Sequence, residues 1–189
     1  MNTLIIHPKD RTTEFLRRIY ADIPDATVVT GGVTRERLKE LIRSHDRVMM
    51  MGHGSFCGLL SVGNFPGSFM YAVDHEFANL LRSKRESVFI WCYALSFVHK
   101  HGLHGFACDM FISEDLEAEM MGVSATSEQV EESNQAFGRI VGMNIHKESV
   151  PLYESVTEAY SELAKTNPIA AYNLERLHVN TGEEAFVRA

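Results

Sequence analysis

The sequence predicts an α/β protein with a mostly parallel central sheet. Short apolar runs alternate with helical patterns over the first 125 residues. Strands that are apolar throughout are typical of a parallel sheet covered by helices on both faces, which is a three-layer sandwich. From about residue 124 only helical patterns follow. We therefore expect an α/β domain at residues 1–125 and a helical extension at 126–189 that packs on it.

Five apolar runs are the predicted strands. Each is short, rich in β-branched, aromatic or long apolar residues, and bounded by glycine, proline or charged residues. The runs are TLIIH (3–7), ATVVT (26–30), RVMMMG (47–52), SVFIWC (87–92) and GFACDMFIS (105–113).

Predicted helices lie between these strands, because apolar residues recur there at three- and four-residue spacing. We expect helices from about residue 12 to 20, after Thr34, after Asp74 and from about residue 94. Thr34 and Asp74 are the predicted N-caps, since their side-chain oxygens can accept from the first free amides of a helix. The glycine-rich segment at 55–73 is expected to be a loop with a small hairpin.

The C-terminal third is expected to contain three helices. Ser127 is the predicted N-cap of the first, and apolar residues between 152 and 163 mark the second. Asn167 followed by Pro168 predicts the start of the third, because proline is favoured in a first helical turn. The polar tail from residue 179 is expected to fray.

Composition and charge restrict the function classes. The chain has 189 residues, 45% hydrophobic residues and a net charge of −7. An acidic protein is a poor partner for nucleic acid or an anionic membrane surface. No apolar run approaches the ~20 residues of a membrane span, and the N-terminus lacks the features of a signal peptide. Three cysteines without a CxxC motif favour a reducing, cytoplasmic location without structural zinc.

A histidine and a cysteine follow two successive predicted strands. His53 comes after RVMMMG, and Cys92 ends SVFIWC. Functional groups of parallel sheets gather beyond the carboxyl ends of strands, so neighbouring strands would bring both side chains into one cleft. The imidazole could then take the thiol proton. The amides of Gly54 and Cys92 could stabilise an oxyanion, because glycine lets a ligand approach its N–H closely.

His53 and Cys92 also have structural explanations, and the sequence contains other candidate residues. Cysteine is often a small buried hydrophobe, and a strand-end histidine is often structural. Ser55 and Cys57 share the glycine-rich loop, but the loop lacks the GxSxG pattern of a serine nucleophile. Three imidazoles, His99, His101 and His104, lie where a helix is expected to end, and the helix dipole accounts for them there. No metal site is predicted.

The motifs VMMMGHGS (48–55) and SVFIWCYA (87–94) resemble those of the caspase-like cysteine peptidases. This clan includes caspases, legumain, gingipain, clostripain and separase. The first strand and the interval between the two motifs also resemble the clan, over roughly residues 3–125. The resemblance implies a caspase-like, Rossmann-like sandwich. It implies His53 as the proton-transfer residue, Cys92 as the nucleophile, the Gly54 and Cys92 amides as the oxyanion hole, and neither a cofactor nor a third carboxylate.

Substrate preference follows from the same resemblance. In the clan, the residue before the cut binds at the ends of the first and fifth strands. Those ends here contain Asp10, Ser113 and Glu114, which are the predicted substrate-binding residues for a basic side chain. Trp91 and Tyr93 flank the cysteine and depart from the Gln-Ala-Cys-Arg-Gly motif of caspases, so a requirement for Asp is not implied.

The sequence therefore predicts a cysteine-dependent hydrolase that acts on peptide or protein substrates. Two alternatives stay open. One is a non-catalytic, regulatory module of the same fold that binds a partner, and the other is a cysteine-dependent amidohydrolase for a small amide. The resemblance also leaves open a homodimer formed through an edge strand.

Overall fold

The computed structural model describes residues 2–182, which contain nine strands. Most are only three or four residues long, and the shortest form a separate small sheet. The strands are β1 (Thr3–Ile6), β2 (Thr27–Val29), β3 (Arg47–Met51), β4 (Gly54–Ser55), β5 (Gly58–Leu60), β6 (Tyr71–Val73), β7 (Ser87–Ile90), β8 (Gly105–Cys108) and β9 (Leu177–Asn180).

Six of these strands form the central sheet, in the order β2-β1-β3-β7-β8-β9. The first five are parallel to one another, and β9 is antiparallel to β8. All five predicted strands are present in this sheet. The glycine-rich segment forms a small antiparallel sheet of β4, β5 and β6, which agrees with the expected hairpin and adds one strand to it.

Strand β9 corrects the expectation that only helices follow residue 124. Leu177–Asn180 is an edge strand with two buried and two half-buried residues. It therefore lacks the continuous apolar run by which the central strands were predicted. The predicted fraying tail begins inside this strand, and its residues 183–189 lie outside the described part of the chain.

Seven α-helices and two 3₁₀ helices lie within residues 2–182. The 3₁₀ helices span Glu14–Ile19 and His75–Phe77. The α-helices are α1 (Arg35–Ser44), α2 (Ala78–Leu81), α3 (Ala94–His101), α4 (Asp115–Met120), α5 (Ser127–Asn144), α6 (Ser149–Ala164) and α7 (Pro168–Leu174).

Most predicted helix starts are confirmed by cap hydrogen bonds. The side chains of Thr34, Asp74 and Asn167 each accept from an amide of the following turn. For α5 the prediction is wrong by one residue, because Thr126 is the N-cap and Ser127 is the first helical residue. Thr126 is favoured because Gln129 stands three residues later and completes a capping box.

Helices cover both faces of the central sheet. Side chains at alternate strand positions point to opposite faces. Met50 and Phe89 pack in one core with residues of α1, α2 and α3. Met49 and Val88 pack in the other core with the first 3₁₀ helix, α5, α6 and α7. The molecule is thus an α/β sandwich of three layers. Within residues 2–182, no helix combines the length and the apolar composition required to cross a bilayer.

The first 3₁₀ helix and α5 touch through their backbones. A Cβ added at Gly138 would lie 2.7 Å from the Phe15 carbonyl oxygen, and one at Gly142 would lie 2.6 Å from that of Arg18. Only glycine allows this approach. The 3₁₀ helix was expected as an α-helix over residues 12–20, but it spans Glu14–Ile19 only.

We expect Gly138→Ala to destabilise the protein by about 1–3 kcal/mol, because the added methyl group forces α5 away from the 3₁₀ helix. Urea unfolding would measure the change. Arg139→Ala is the control on the next, exposed position of α5 and should change the free energy of unfolding by less than about 0.5 kcal/mol. Equal effects of the two substitutions would show that the close contact does not matter.

Candidate functional site

His53 and Cys92 lie just beyond the carboxyl ends of two neighbouring strands. Strands β3 and β7 pair in parallel, with Met51 opposite Ile90. The two residues line one cavity, together with Ile90 and Cys108 of the sheet face that packs on α5 and α6. The neighbouring strands on which the predicted Cys–His site depends are therefore present.

The shared cavity is small. Its volume is about 20 Å³, which is enough for one water molecule. Thr13, Phe111 and Ser113 also line it. Thr13 comes from the loop after β1, whereas Phe111 and Ser113 come from the loop after β8. The cavity is thus lined by residues that follow four strands of the central sheet, β1, β3, β7 and β8.

A chain of hydrogen bonds joins His53 to a carboxylate. His53 Nε2 lies 2.6 Å from Thr12 Oγ1, and that hydroxyl donates to Asp10 Oδ1 at 2.7 Å. The Thr12 amide donates to the same carboxylate oxygen at 2.8 Å. These two bonds from Thr12 hold the pKa of Asp10 below its ordinary value. Asp10 Oδ1 is also 3.9 Å from His53 Nε2.

Asp10 was predicted as a substrate-binding residue, and here its side chain is bonded within its own loop and faces the histidine. The resemblance implied a dyad that needs no third carboxylate. The structure nevertheless brings a carboxylate next to the imidazole. The sequence signal for this was the Asp-x-Thr spacing, which is typical of a side chain that bonds the backbone two residues later.

The buried side chain of His7 is hydrogen-bonded to the end of this loop. His7 Nδ1 lies 2.9 Å from Tyr20 Oη, and Nε2 lies 3.2 Å from Thr13 Oγ1. Burial lowers the pKa of His7 to about 4, so its ring is neutral at neutral pH. This neutral ring connects β1 to the loop of residues 10–13 and to the end of the first 3₁₀ helix.

The Cys92 thiol is protonated in this environment. Burial, followed by the nearby Glu117 carboxylate, raises the pKa of Cys92 to about 11. Its Sγ donates to the Phe111 carbonyl oxygen at 3.5 Å and lies 3.9 Å from Glu117 Oε1. Among the described residues, the thiol bonds to these two groups and not to His53.

Glu117 was not anticipated from the sequence. Its Oε2 accepts from the Ser113 amide at 2.7 Å, the Ser113 hydroxyl at 3.0 Å and the Glu114 amide at 3.2 Å. Glu114 and Glu117 form the capping box of α4. The signal in the sequence was the three-residue spacing of Glu114 and Glu117 at a helix start, which is the spacing of a capping box. Of the two predicted substrate-binding residues here, Ser113 lines the cavity, and Glu114 caps the helix.

Two backbone amides beside the site have no backbone acceptor within residues 2–182. The Leu60 amide donates to the His53 carbonyl oxygen. Gly54 and Leu59 are therefore a non-hydrogen-bonded antiparallel pair, and the Gly54 amide points away from β5. The Cys92 amide also donates to no backbone acceptor within that range. A Cβ at Gly54 would lie 2.0 Å from Trp91 Cδ1, so glycine is required where β4 crosses the indole.

The backbone is strained directly after the cysteine. Tyr93 has φ 66° and ψ 24°, a left-handed conformation that is uncommon for an aromatic residue. It connects the end of β7 to the start of α3, so Cys92 occupies a sharp strand-to-helix turn. Strain of this kind often accompanies a functional side chain that must be presented at the edge of a sheet.

The remaining sequence candidates lie apart from this chemistry. Ser55 Oγ is hydrogen-bonded to Tyr71 Oη at 2.9 Å and accepts from the Cys57 amide at 3.1 Å. Cys108 is buried and donates to the Trp91 carbonyl oxygen at 3.3 Å. Over the described range 2–182, no three His, Cys, Asp or Glu side chains cluster as a metal site would require.

No protein-family model matches the chain, and neither the curated proteins nor the solved structures contain a match. The resemblance to caspase-like peptidases therefore stays a prediction. Inferences about function depend on the geometry of the site.

The pKa of His7 predicts how stability varies with pH. Because this pKa is about 4 in the folded protein and 6.5 ordinarily, the unfolded chain binds the proton more tightly. The contribution of the neutral ring is present above about pH 6.5 and is lost as the pH falls toward 4. We expect about 2 kcal/mol of this loss between pH 7.5 and 5.

Urea unfolding of wild type and His7→Gln at these two pH values tests this expectation. The variant should be less stable at pH 7.5 and should lose about 2 kcal/mol less on acidification. His146→Gln is the control, since its ring is exposed and His7 is retained. An unchanged pH dependence in His7→Gln would contradict the assignment.

Removing the Glu117 charge should lower the pKa of the Cys92 thiol, because the carboxylate disfavours a thiolate 3.9 Å away. The variant Glu117→Gln keeps an oxygen that can accept from Ser113. Iodoacetamide labelling of Cys92 against pH, read by peptide mass spectrometry, measures the shift. Glu119→Gln, an exposed substitution on the same helix, should leave the labelling curve unchanged. A curve for Glu117→Gln that moves to higher pH would refute the effect.

Proposed function

We propose that the protein is a cysteine-dependent hydrolase of peptide bonds, a caspase-like peptidase in which Cys92 is the nucleophile and His53 transfers the proton. One observation carries this proposal. Parallel pairing of β3 with β7 brings both side chains to one cavity at the carboxyl edge of the sheet. Nucleophile, base and amide donors together are the groups that acyl transfer requires.

The reaction would proceed by two acyl transfers. His53 takes the Cys92 proton, the sulfur forms a bond to the carbonyl carbon, and the carbonyl electron pair moves to its oxygen. As that pair returns, the carbon–nitrogen bond breaks and the leaving amine takes the proton from His53. A water molecule then gives a proton to His53 and attacks the thioester. The carbon–sulfur bond breaks, and the sulfur recovers its proton.

Two features support a stabilised oxyanion in this scheme. The Gly54 and Cys92 amides donate to no backbone acceptor in the described chain, so both could donate to a substrate oxygen. Preorganised amides of this kind are among the strongest contributors to acyl-transfer catalysis. The strained turn at Tyr93 presents Cys92 at the edge of the sheet and fixes the direction of its amide.

In this proposal, the observed arrangement of the thiol would be the resting state. The thiol donates to the Phe111 carbonyl, and its pKa of about 11 leaves it protonated at neutral pH. The cavity holds one water-sized volume only. Catalysis would therefore begin when a substrate enlarges this cavity and the thiol turns from Phe111 toward the imidazole.

We also propose a basic residue before the scissile bond. Ser113 lines the cavity, and the acidic residues Glu114, Asp115 and Glu117 follow it within one turn of chain. Asp10 contributes less than expected, because its carboxylate is bonded to Thr12. The positive charge of a lysine or arginine side chain would be attracted by these acidic residues after β8.

A regulatory module without catalysis is the second candidate. The small cavity and the high pKa of Cys92 favour it, because both would protect an inert thiol. The same small volume would suit a hydrolase for a small amide. These alternatives differ from a peptidase in whether Cys92 reacts with a peptide-based electrophile.

Labelling with acyloxymethyl-ketone peptides tests the proposal. Wild type should be labelled at Cys92, and His53→Ala should reduce the rate by about 10²–10⁴-fold, the usual contribution of a proton-transfer residue. A probe with Arg before the ketone should react faster than the same probe with Asp. Cys57→Ala, which removes a half-buried cysteine outside the dyad, is the control and should react like wild type.

The outcomes separate the candidates. If Cys92 does not react with any peptide probe, the peptidase proposal fails, and the result supports a regulatory module without catalysis. If Cys92 reacts but His53→Ala reacts equally fast, the dyad is wrong. Faster labelling by the Asp probe would refute the basic preference and leave the dyad in place.

A further inference from the structure

We infer that Thr12 and Asp10 are positioning residues that select the protonated nitrogen of His53 and thereby leave Nδ1 free to take the Cys92 proton. The catalytic meaning of this inference rests on the proposed function. The hydrogen-bond order on which it depends can be derived, and tested, without it.

The Thr12 hydroxyl has one proton to donate, and the Asp10 carboxylate requires it. A carboxylate at neutral pH accepts hydrogen bonds and cannot donate. Asp10 is held in that state, because the amide and the hydroxyl of Thr12 both lower its pKa. The hydroxyl proton therefore lies on the 2.7 Å line from Thr12 Oγ1 to Asp10 Oδ1. Thr12 Oγ1 therefore faces His53 with a lone pair.

The direction of the next bond follows. His53 Nε2 is 2.6 Å from Thr12 Oγ1, so this is a hydrogen bond and one of the two atoms must donate. Since the Thr12 proton is already committed, Nε2 is the donor and carries hydrogen. A neutral imidazole carries one proton only. Nδ1 therefore has the lone pair, and it is the nitrogen that can act as a base.

The opposite tautomer would be the less stable of the two. With hydrogen on Nδ1, the lone pair of Nε2 would face Thr12 Oγ1 and draw the hydroxyl proton away from Asp10. The carboxylate would then lose a charge-assisted hydrogen bond and keep only the Thr12 amide. It would also have an unprotonated nitrogen 3.9 Å away instead of an N–H group.

The loop that carries these two residues is well held. Thr12 N and Oγ1 bond to the same oxygen of Asp10, which closes a tight turn. The next residue, Thr13, is fixed by His7 at 3.2 Å. Thr12 thus stands between carboxylate and imidazole with little freedom to reorient. Asp10 acts on His53 through Thr12 and also attracts the imidazolium that forms during proton transfer.

Nitrogen-15 NMR of the histidine rings in the full-length protein tests the hydrogen-bond order directly. His53 is assigned by comparison with His53→Gln. Wild type at neutral pH should show the Nε2–H form. Thr12→Val removes the hydroxyl at nearly equal volume and should shift the population toward Nδ1–H. Thr12→Ser keeps the hydroxyl and should restore the wild-type spectrum.

A matched control exists elsewhere in the chain. His45 Nε2 lies 2.8 Å from Thr27 Oγ1, a part-buried His–Thr pair like that of His53 and Thr12. Thr27→Val should change the His45 resonances and leave those of His53 as they are. Asp10→Asn keeps an acceptor for Thr12 but removes the charge, so it separates the effect of the hydrogen bond from that of the carboxylate.

Labelling of Cys92 by the peptide ketone supplies the kinetic readout. We expect Thr12→Val to slow labelling about tenfold, the range expected for loss of one hydrogen bond, and Thr12→Ser to recover most of it. Asp10→Asn should slow labelling less than Thr12→Val does. Thr27→Val should label at the wild-type rate.

Failure of this inference and failure of the proposed function look different. A wild-type His53 with hydrogen on Nδ1 overturns the inferred order, whatever the labelling rates are. So does a Thr12→Val spectrum identical to that of wild type. If His53 carries hydrogen on Nε2 and shifts in Thr12→Val, the order is supported. Should His53→Ala then label as fast as wild type, the hydrolase proposal alone is overturned.

Discussion

Parallel pairing of β3 with β7 is the constraint on which the site depends. Met51 lies opposite Ile90, and the functional residue follows two positions later on each strand. Strands that run in the same direction end at the same edge, so an imidazole and a thiol reach one cavity. A single strand inserted between them would add about 4.8 Å to their separation. An antiparallel arrangement would send them to opposite ends of the sheet.

The charged groups near Cys92 and those near His53 have opposite effects on the two side chains. Burial and Glu117 disfavour a charged sulfur, whereas Asp10 lies where it favours a charged imidazole. The thiol is held by the Phe111 carbonyl, and the imidazole by the Thr12 hydroxyl. The thiol is thus protonated and hydrogen-bonded to Phe111. Proton transfer from the thiol to the imidazole requires the sulfur to leave its present partner, which links reactivity to the opening of a cavity of about 20 Å³.

The C-terminal region reaches the site through packing. Helix α5 contacts the first 3₁₀ helix at Gly138, and that helix directly follows the loop of Asp10 and Thr12. Strand β9 completes the sheet beside β8. The region after residue 124 therefore supplies one covering layer and one edge strand of the sandwich. It helps to determine where the groups around His53 lie.

The sequence by itself determined the five parallel strands, most helix caps and the positions of His53 and Cys92, because apolar runs, capping residues and glycines act over a few neighbouring residues. It could not reveal β9, whose half-buried edge position leaves no continuous apolar pattern. Glu117 and Thr12 acquire their roles only when the loops after β8 and β1 fold back onto Cys92 and His53. Such contacts join residues far apart in the chain. The tertiary structure alone decided which carboxylate faces the thiol and which faces the imidazole.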